Sequence, residues 1–148
     1  MEFRLGRGLL GPLRPLLGHW VHRGEHNGQT VEVSRLYESW GNGWVRLSAT
    51  WELPGRTYAE TAFYGATTEG PLGFYSFTND GKRSEGRLAD GTDVHAQAVA
   101  FVAQFPAGTG RMIAWPRDDG LPGFDFAVES QTAKGWNRFL LQRFGPVT

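Results

Sequence analysis

The sequence predicts an all-β fold, namely a ten-stranded antiparallel up-and-down barrel with a short helical cap at its N-terminal end. The 148 residues include 21 glycines, 10 phenylalanines, 6 tryptophans and 4 tyrosines, and glycine suits tight turns while aromatic residues suit a pleated surface. Turn signals recur about every 12 residues, a spacing typical of antiparallel barrels and sandwiches. No segment after Trp20 has the 3.6-residue period of a helix that could connect parallel strands.

The first element is the cap, residues 1–17. It is mostly apolar, and Pro12 and Pro15 interrupt it. Each proline lacks an N–H donor and clashes with the preceding turn, so a helical turn or two can form but a long helix cannot. We expect 18–145 to form the barrel that this segment covers, and 1–148 to be a single domain.

The strands follow from the residues that separate them. Clusters of Asn, Asp, Gly and Pro divide the chain after Trp20, and these residues accept the conformations that tight hairpins require. The predicted strands are 19–26, 29–40, 44–53, 56–67, 72–78, 82–89, 93–105, 110–116, 124–132 and 136–144. Alternation is clearest in 44–53, where Val45, Leu47 and Trp51 share one face, which predicts one buried and one solvated side.

Closure of the sheet leads to a prediction of function. An open ten-stranded meander would expose unpaired backbone groups at both edges, and closing it into a barrel removes them. Eight strands already leave room for a small ligand, so ten strands predict an internal cavity. We therefore expect the protein to bind a small hydrophobic or amphipathic molecule inside the barrel.

Composition limits the partners and the location. The 15 basic and 15 acidic residues balance, so no overall field attracts nucleic acid or an anionic membrane. No apolar run approaches the ~20 residues of a membrane-spanning helix. The absence of cysteine excludes disulfides and thiolate metal sites and is compatible with a reducing compartment. We expect a cytoplasmic monomer or homodimer.

The start of the first strand carries a family resemblance. Gly18-His19-Trp20 is similar to the Gly-x-Trp signature of the lipocalin and calycin superfamily. The chain from Leu16 onward resembles the bacterial lipocalin-like domains of unknown function, with the nitrobindin-type barrels as relatives, which begin with Leu-x-Gly-x-Trp after a short cap. The resemblance implies a barrel floor made by Gly18 and Trp20, with a basic residue of the last strand, Arg138 or Arg143, packed over the tryptophan.

The inward face of the barrel supplies the candidate ligand-binding residues. We infer it from hydrophobic alternation, which a β-bulge would reverse. His95 is included as a polar anchor within the strand 93–105. The predicted cavity residues are Val45, Leu47, Trp51, Phe63, His95, Phe101, Trp115, Phe126 and Phe139.

Two alternative functions stay open. One is a barrel that binds haem or another prosthetic group for redox or isomerase chemistry, with His95 as the internal ligand. The other is a filled barrel that acts as an interaction module through an exposed aromatic face such as that of Trp44. No nucleophile elbow is present, so binding is favoured over catalysis. No metal site is predicted, because His19, His22 and His26 are spread along one extended strand in steps of ~7 Å or more.

Overall fold

The computed structural model describes residues 3–68 and 70–148, so Met1, Glu2 and Glu69 of the predicted domain lie outside the described residues. Within this part, ten antiparallel strands close into a barrel in which each strand pairs with its neighbours in sequence and β1 meets β10. The predicted fold class is confirmed. The strands are β1 (Gly18–His26), β2 (Gln29–Trp40), β3 (Trp44–Leu53), β4 (Arg56–Thr67), β5 (Gly70–Thr78), β6 (Arg83–Ala89), β7 (Val99–Phe105), β8 (Gly108–Pro116), β9 (Phe124–Thr132) and β10 (Gly135–Pro146).

A short 3-10 helix, Gly11–Leu16, closes one end of the barrel. Pro12 lies at its start, where a missing N–H donor costs nothing, and the helix ends within two residues of Pro15. Leu13 and Leu16 are buried in the main core. We call this end the cap end. No helix in the described ranges is long and apolar enough to cross a membrane.

The main core fills the half of the barrel next to the cap. Its larger side chains come from the 3-10 helix and from the strand ends nearest to it. They are Leu13, Leu16, Trp20, Tyr37, Val45, Leu47, Leu72, Phe124 and Phe144. The tight turns that join β1 to β2, β3 to β4, β5 to β6, β7 to β8 and β9 to β10 lie at the opposite end, which we call the open end.

One predicted strand is too long. The prediction of a strand over 93–105 is wrong for its first six residues, because β7 begins only at Val99. The carboxylate of Asp90 accepts hydrogen bonds from the backbone N–H (3.0 Å) and the hydroxyl (3.1 Å) of Thr92, and such local bonds favour a turn over a strand. Val94 and Ala98 then pack on the outer wall against Ile113. Residues 90–98 form a loop, which we call the wall loop.

The barrel wall is incompletely paired at two places toward the open end. The ladder between β6 and β7 runs only from Gly86↔Ala103 to Ala89↔Ala100, so 83–85 have no paired residue on β7 within the described chain. The ladder between β1 and β10 has two pairs, Trp20↔Pro146 and Val21↔Gly145. The open half of the barrel therefore has fewer paired residues between neighbouring strands than the cap half.

Candidate functional site

A cavity of about 400 Å³ occupies the open half of the barrel. Its size falls within the range of small-molecule sites. Most of its wall is apolar. The apolar lining residues are Trp51, Phe74, Phe105, Pro106, Met112, Phe126, Val128 and Leu140. The cavity can therefore accept an apolar body of modest size.

The mouth of the cavity lies among the hairpin turns of the open end. Tyr58, Thr78 and Lys82 border it, and each lies close in sequence to one of these turns. Arg83 and Ser84 lie in the part of β6 that is paired with β5 but not with β7, and they line both the cavity and a groove of about 560 Å³ on the outer wall. The cavity is consequently adjacent to the incompletely paired seam between β6 and β7.

Arg35 is the charged group deep in the cavity. It is 6% exposed, its Nε and Nη2 donate to the hydroxyl of Tyr37 at 3.1 and 2.9 Å, and its Cζ lies 4.3 Å from the ring centroid of Phe126. Burial opposes the charge, but Tyr37 and Glu60 outweigh it and keep the pKa of Arg35 above its ordinary value. Arg35 is therefore a cation at neutral pH.

The buried side chains of Tyr37 and Tyr64 lie next to Arg35. The ring of Tyr37 lies 5.5 Å from the Arg35 Cζ and 6.4 Å from the ring of Tyr64. Burial raises the pKa of Tyr37, and it raises the pKa of Tyr64 well above 10. Both groups are therefore neutral at physiological pH, when each retains the proton that a phenol can donate.

The third polar feature is a pair formed by β4 and β5. The buried hydroxyl of Ser76 donates a hydrogen bond to Oε2 of Glu60, and both residues line the cavity. The charge of Glu60 attracts Arg35, yet no carboxylate in the described chain approaches the Arg35 guanidinium within 4.0 Å. Within the described chain, the buried cation Arg35 and the carboxylate of Glu60 therefore share the cavity without forming an ion pair with each other.

Five of the nine predicted cavity residues point into the barrel. Trp51 and Phe126 line the cavity. Val45, Leu47 and Phe101 are buried in the core. Alternation placed these side chains on the inward face correctly, but it could not locate the boundary between core and cavity. Contact of any of them with a ligand stays a prediction.

The inward assignment is wrong for three aromatic residues. Phe63 alternates with the buried Ala62 and Tyr64 and packs outside against Trp40, with 5.1 Å between ring centroids. Trp115 belongs to the outer cluster under the wall loop. Phe139 is 64% exposed, because the ladder between β9 and β10 shifts register between Arg138 and Leu140 and leaves it at the bulge.

The prediction that His95 is a cavity anchor on a strand is also wrong. His95 lies in the wall loop near the cap end, and its Nδ1 accepts a hydrogen bond from the backbone N–H of Gln97 at 2.9 Å. His19, His22 and His95 do not line the cavity. The position of His95 therefore does not fit the alternative in which it is the internal ligand of a haem in the barrel.

The predicted barrel floor has two of its three residues at the cap end. Trp20 is 2% exposed, its indole N–H donates to the carbonyl oxygen of Leu16 at 2.7 Å, and its ring meets Phe124 edge-on at 5.4 Å. Gly18 has φ 134°, and a Cβ there would lie 3.2 Å from the indole of Trp20. The glycine is needed for both its backbone conformation and this close approach.

The placement of Arg138 over the floor is wrong. Arg138 lies on the outer wall, where Nε donates to Oε2 of Glu129 at 3.0 Å and Cζ lies 4.9 Å from the ring of Trp115. The alternative, Arg143, is also on the outer wall and is bonded to Asp125 at 2.7 Å. Outward register explains both positions, because each of these arginines is paired opposite an acidic residue of β9.

Sequence reasoning missed the polar centre of the cavity. Arg35, Glu60, Tyr64 and Ser76 were not among the predicted site residues. A signal was present for Arg35, because it continues the inward alternation of Val31 and Val33 in β2. A charged residue at an inward position of a strand is rare unless it is paired or functional.

Comparison with known proteins supports the fold and leaves the site unassigned. No family model and no curated protein sequence matches this chain. A similar solved structure is the crystal structure of Rv2717c from M. tuberculosis, with a TM-score of 0.57 and 12% sequence identity over 97% of this chain and 99% of that one. At this identity the similarity shows the fold alone, and it is compatible with a calycin-like barrel.

Proposed function

We propose that this protein binds a small amphipathic molecule in the cavity of the open half of the barrel. The observation that carries the proposal is the apolar cavity of about 400 Å³ with a cluster of polar groups on its inner wall. Apolar lining with a few convergent polar groups is the usual composition of a ligand site. The buried floor and cap supply a rigid base beneath it.

We infer further that the chain is a member of the calycin superfamily, related to the bacterial lipocalin-like domains. The inference is supported by Gly18 and Trp20 at the start of β1, the ten-stranded meander and the short preceding helix. The proposed ligand role does not depend on this membership. A cytoplasmic location is also proposed, on the absence of cysteine.

The test compares two adjacent leucines of β10. Leu140 lines the cavity, whereas Leu141 is 58% exposed on the outer wall. Nile red, an uncharged dye that fluoresces in apolar sites, serves as the probe. We expect the wild type and Leu141→Trp to bind it equally, and Leu140→Trp to bind at least about tenfold more weakly because the larger side chain fills the cavity. Absence of dye binding to the wild type, or equal binding by Leu140→Trp, contradicts the proposal.

A second candidate, the interaction module, is supported by aromatic side chains on the outer wall. Trp40 is 46% exposed and packs edge-on against Phe63, and the ring of Trp44 lies 6.4 Å from that of Tyr75. The cavity argues against the filled barrel of this hypothesis. Native mass spectrometry separates the candidates, because a co-purified small molecule supports the carrier and a ligand-free dimer supports the module.

A further inference from the structure

We propose that the cavity selects a monoanionic amphiphile, a molecule with one carboxylate and an apolar tail, and that Arg35 and Tyr64 bind the carboxylate. This inference rests on the proposed function and adds the class of ligand. It begins from the charge of Arg35, which is buried without an ion pair in the described chain. Tyr37 and Glu60 stabilise the charge of Arg35, but neither makes an ion pair with it, and the carboxylate of a ligand would supply that direct contact.

The hydrogen-bond donors of Arg35 are only partly used. Nε and Nη2 both donate to the Tyr37 hydroxyl, which leaves Nη1 with no hydrogen bond to any described residue. Nη1 is also not among the fully enclosed atoms that lack a partner, so it is accessible from the cavity that Arg35 lines. A guanidinium nitrogen in this state is suited to a charge-assisted bond with a carboxylate oxygen.

Tyr64 offers a second donor. It is 7% exposed, and its ring is fixed between Phe74 and Phe101, with centroid separations of 5.5 and 4.9 Å. Its hydroxyl makes no hydrogen bond within the described chain and is not fully enclosed. Because burial holds the pKa of Tyr64 well above 10, the phenol keeps its proton and can donate it to an anion.

Glu60 limits the charge of the ligand. Its carboxylate accepts from Ser76 and lies close enough to act electrostatically on Arg35 and on Tyr64. The charges of Arg35 and Glu60 cancel in sum, so every negative charge of a head group that pairs with Arg35 also meets the repulsion of Glu60, and a second charge doubles that repulsion in a site of low dielectric. The site therefore favours a carboxylate over a doubly charged phosphate ester.

The position of these groups also sets the orientation of the ligand. Arg35 and Tyr64 are next to the core residue Tyr37, whereas Lys82 and Thr78 lie at the open end. The carboxylate would enter first, and the tail would extend past Met112 toward the mouth. Such an arrangement buries the head group where hydrogen bonds to charged groups are strongest.

The experiment measures the binding of four ligands with the same tail by isothermal titration calorimetry: octanoate, octan-1-ol, octylammonium and octyl phosphate. We expect octanoate to bind at least about tenfold more tightly than each of the others, since a hydrogen bond to a charged group contributes about 1.5–3 kcal/mol. Arg35→Met should abolish the preference for octanoate over octan-1-ol, and Tyr64→Phe should reduce it by about tenfold. Arg46→Met is the matched control, because Arg46 bonds to Glu38 outside the cavity, and it should leave the preference unchanged.

Nile red binding distinguishes failure of the carboxylate inference from failure of the proposed function. If the wild type binds Nile red but octanoate has no advantage over octan-1-ol, the carboxylate inference is overturned and the proposed function stands. An equal or greater affinity for octyl phosphate overturns the selection of a monoanion. If the wild type binds neither Nile red nor any of the four ligands, the proposed function itself fails. If Arg35→Met does not fold, the test depends on Tyr64→Phe. An undiminished preference of that variant for octanoate over octan-1-ol overturns the assignment of the carboxylate site to Arg35 and Tyr64.

Discussion

Truncation of the floor tryptophan tests the division of the barrel into a closed half and an open half. Trp20 is almost fully buried, packs edge-on against Phe124 and donates to the Leu16 carbonyl oxygen. Trp20→Ala removes a large aromatic side chain from the core, a change that costs about 3–5 kcal/mol, and leaves a buried acceptor unpaired. We expect a total loss near the upper end, about 4–5 kcal/mol, and a fall in Tm of about 10–20 °C.

Two further variants separate the contributions to this loss. Trp20→Phe keeps an aromatic ring against Phe124 but removes the indole N–H, and it should cost about 1–3 kcal/mol. Trp40→Ala truncates a half-exposed tryptophan on the outer wall and should cost about 1 kcal/mol or less. Urea unfolding monitored by circular dichroism gives the three values. A Trp20→Ala variant that loses no more stability than Trp40→Ala refutes the floor assignment.

Four other predictions concern the wall and the cavity. In urea unfolding, Arg111→Met should lose about 3–5 kcal/mol because it strands a buried carboxylate, whereas Arg35→Met should lose only about 1–2 kcal/mol because it removes hydrogen bonds to Tyr37 but breaks no ion pair; equal losses would contradict this contrast. Gly86→Ala should destabilise by about 1–3 kcal/mol, since its Cβ would clash with the Phe74 ring and lie 2.8 Å from a backbone oxygen, while Gly43→Ala, with open space around it, should be close to neutral. Hydrogen bonds from Arg111 lower the pKa of Asp93, so its stabilising contribution should be present above about pH 4 and lost as the pH falls further. Measuring the free energy of unfolding of the wild type and of Asp93→Asn across this pH range gives this contribution. An identical pH dependence of stability in the two proteins would count against the hydrogen bonds between Arg111 and Asp93.

The fold could be predicted from the sequence because its determinants are local. Clusters such as Asn27-Gly28 and Lys134-Gly135 mark the hairpins, and they coincide with the turns after β1 and β9. Asn27 and Gly28 both adopt positive φ, of 52° and 77°, which matches the conformation that two-residue hairpin turns require. A strand whose turns are fixed at both ends leaves little freedom for its length or direction.

The direction of individual side chains was less predictable because it depends on pairing between strands. At Phe139, a single shift in the ladder with β9 places on the outside a residue that simple alternation assigned to the inside. At His95, local hydrogen bonding of Asp90 ended a segment that looked like a continuous strand. Neither event changes the composition of its segment, so hydrophobicity alone cannot reveal it.

The cavity itself was predictable as a consequence of strand number, but its polar centre was not. Ten strands enclose more space than the core fills, and the excess lies at the end without the 3-10 helix. Arg35 and Glu60 are separated by 25 positions in the sequence and meet only through the adjacent strands β2, β3 and β4, where Ala49 pairs with both. The small side chain of Ala49 between them leaves space for the groups on either side.

The two buried arginines Arg111 and Arg35 differ in how the protein compensates their charges. Arg111 is enclosed on the outer wall, where it bonds Asp93 at 2.8 and 2.9 Å and Glu129 at 2.9 and 2.6 Å. These carboxylates compensate its charge, so its role is explained by the attachment of the wall loop to the barrel. Arg35 is also buried, but its charge is stabilised by hydrogen bonds to Tyr37 and by Glu60 at longer range, and no carboxylate of the described chain forms an ion pair with it. The carboxylate ligand that we propose would use the part of this guanidinium that makes no hydrogen bond within the described chain.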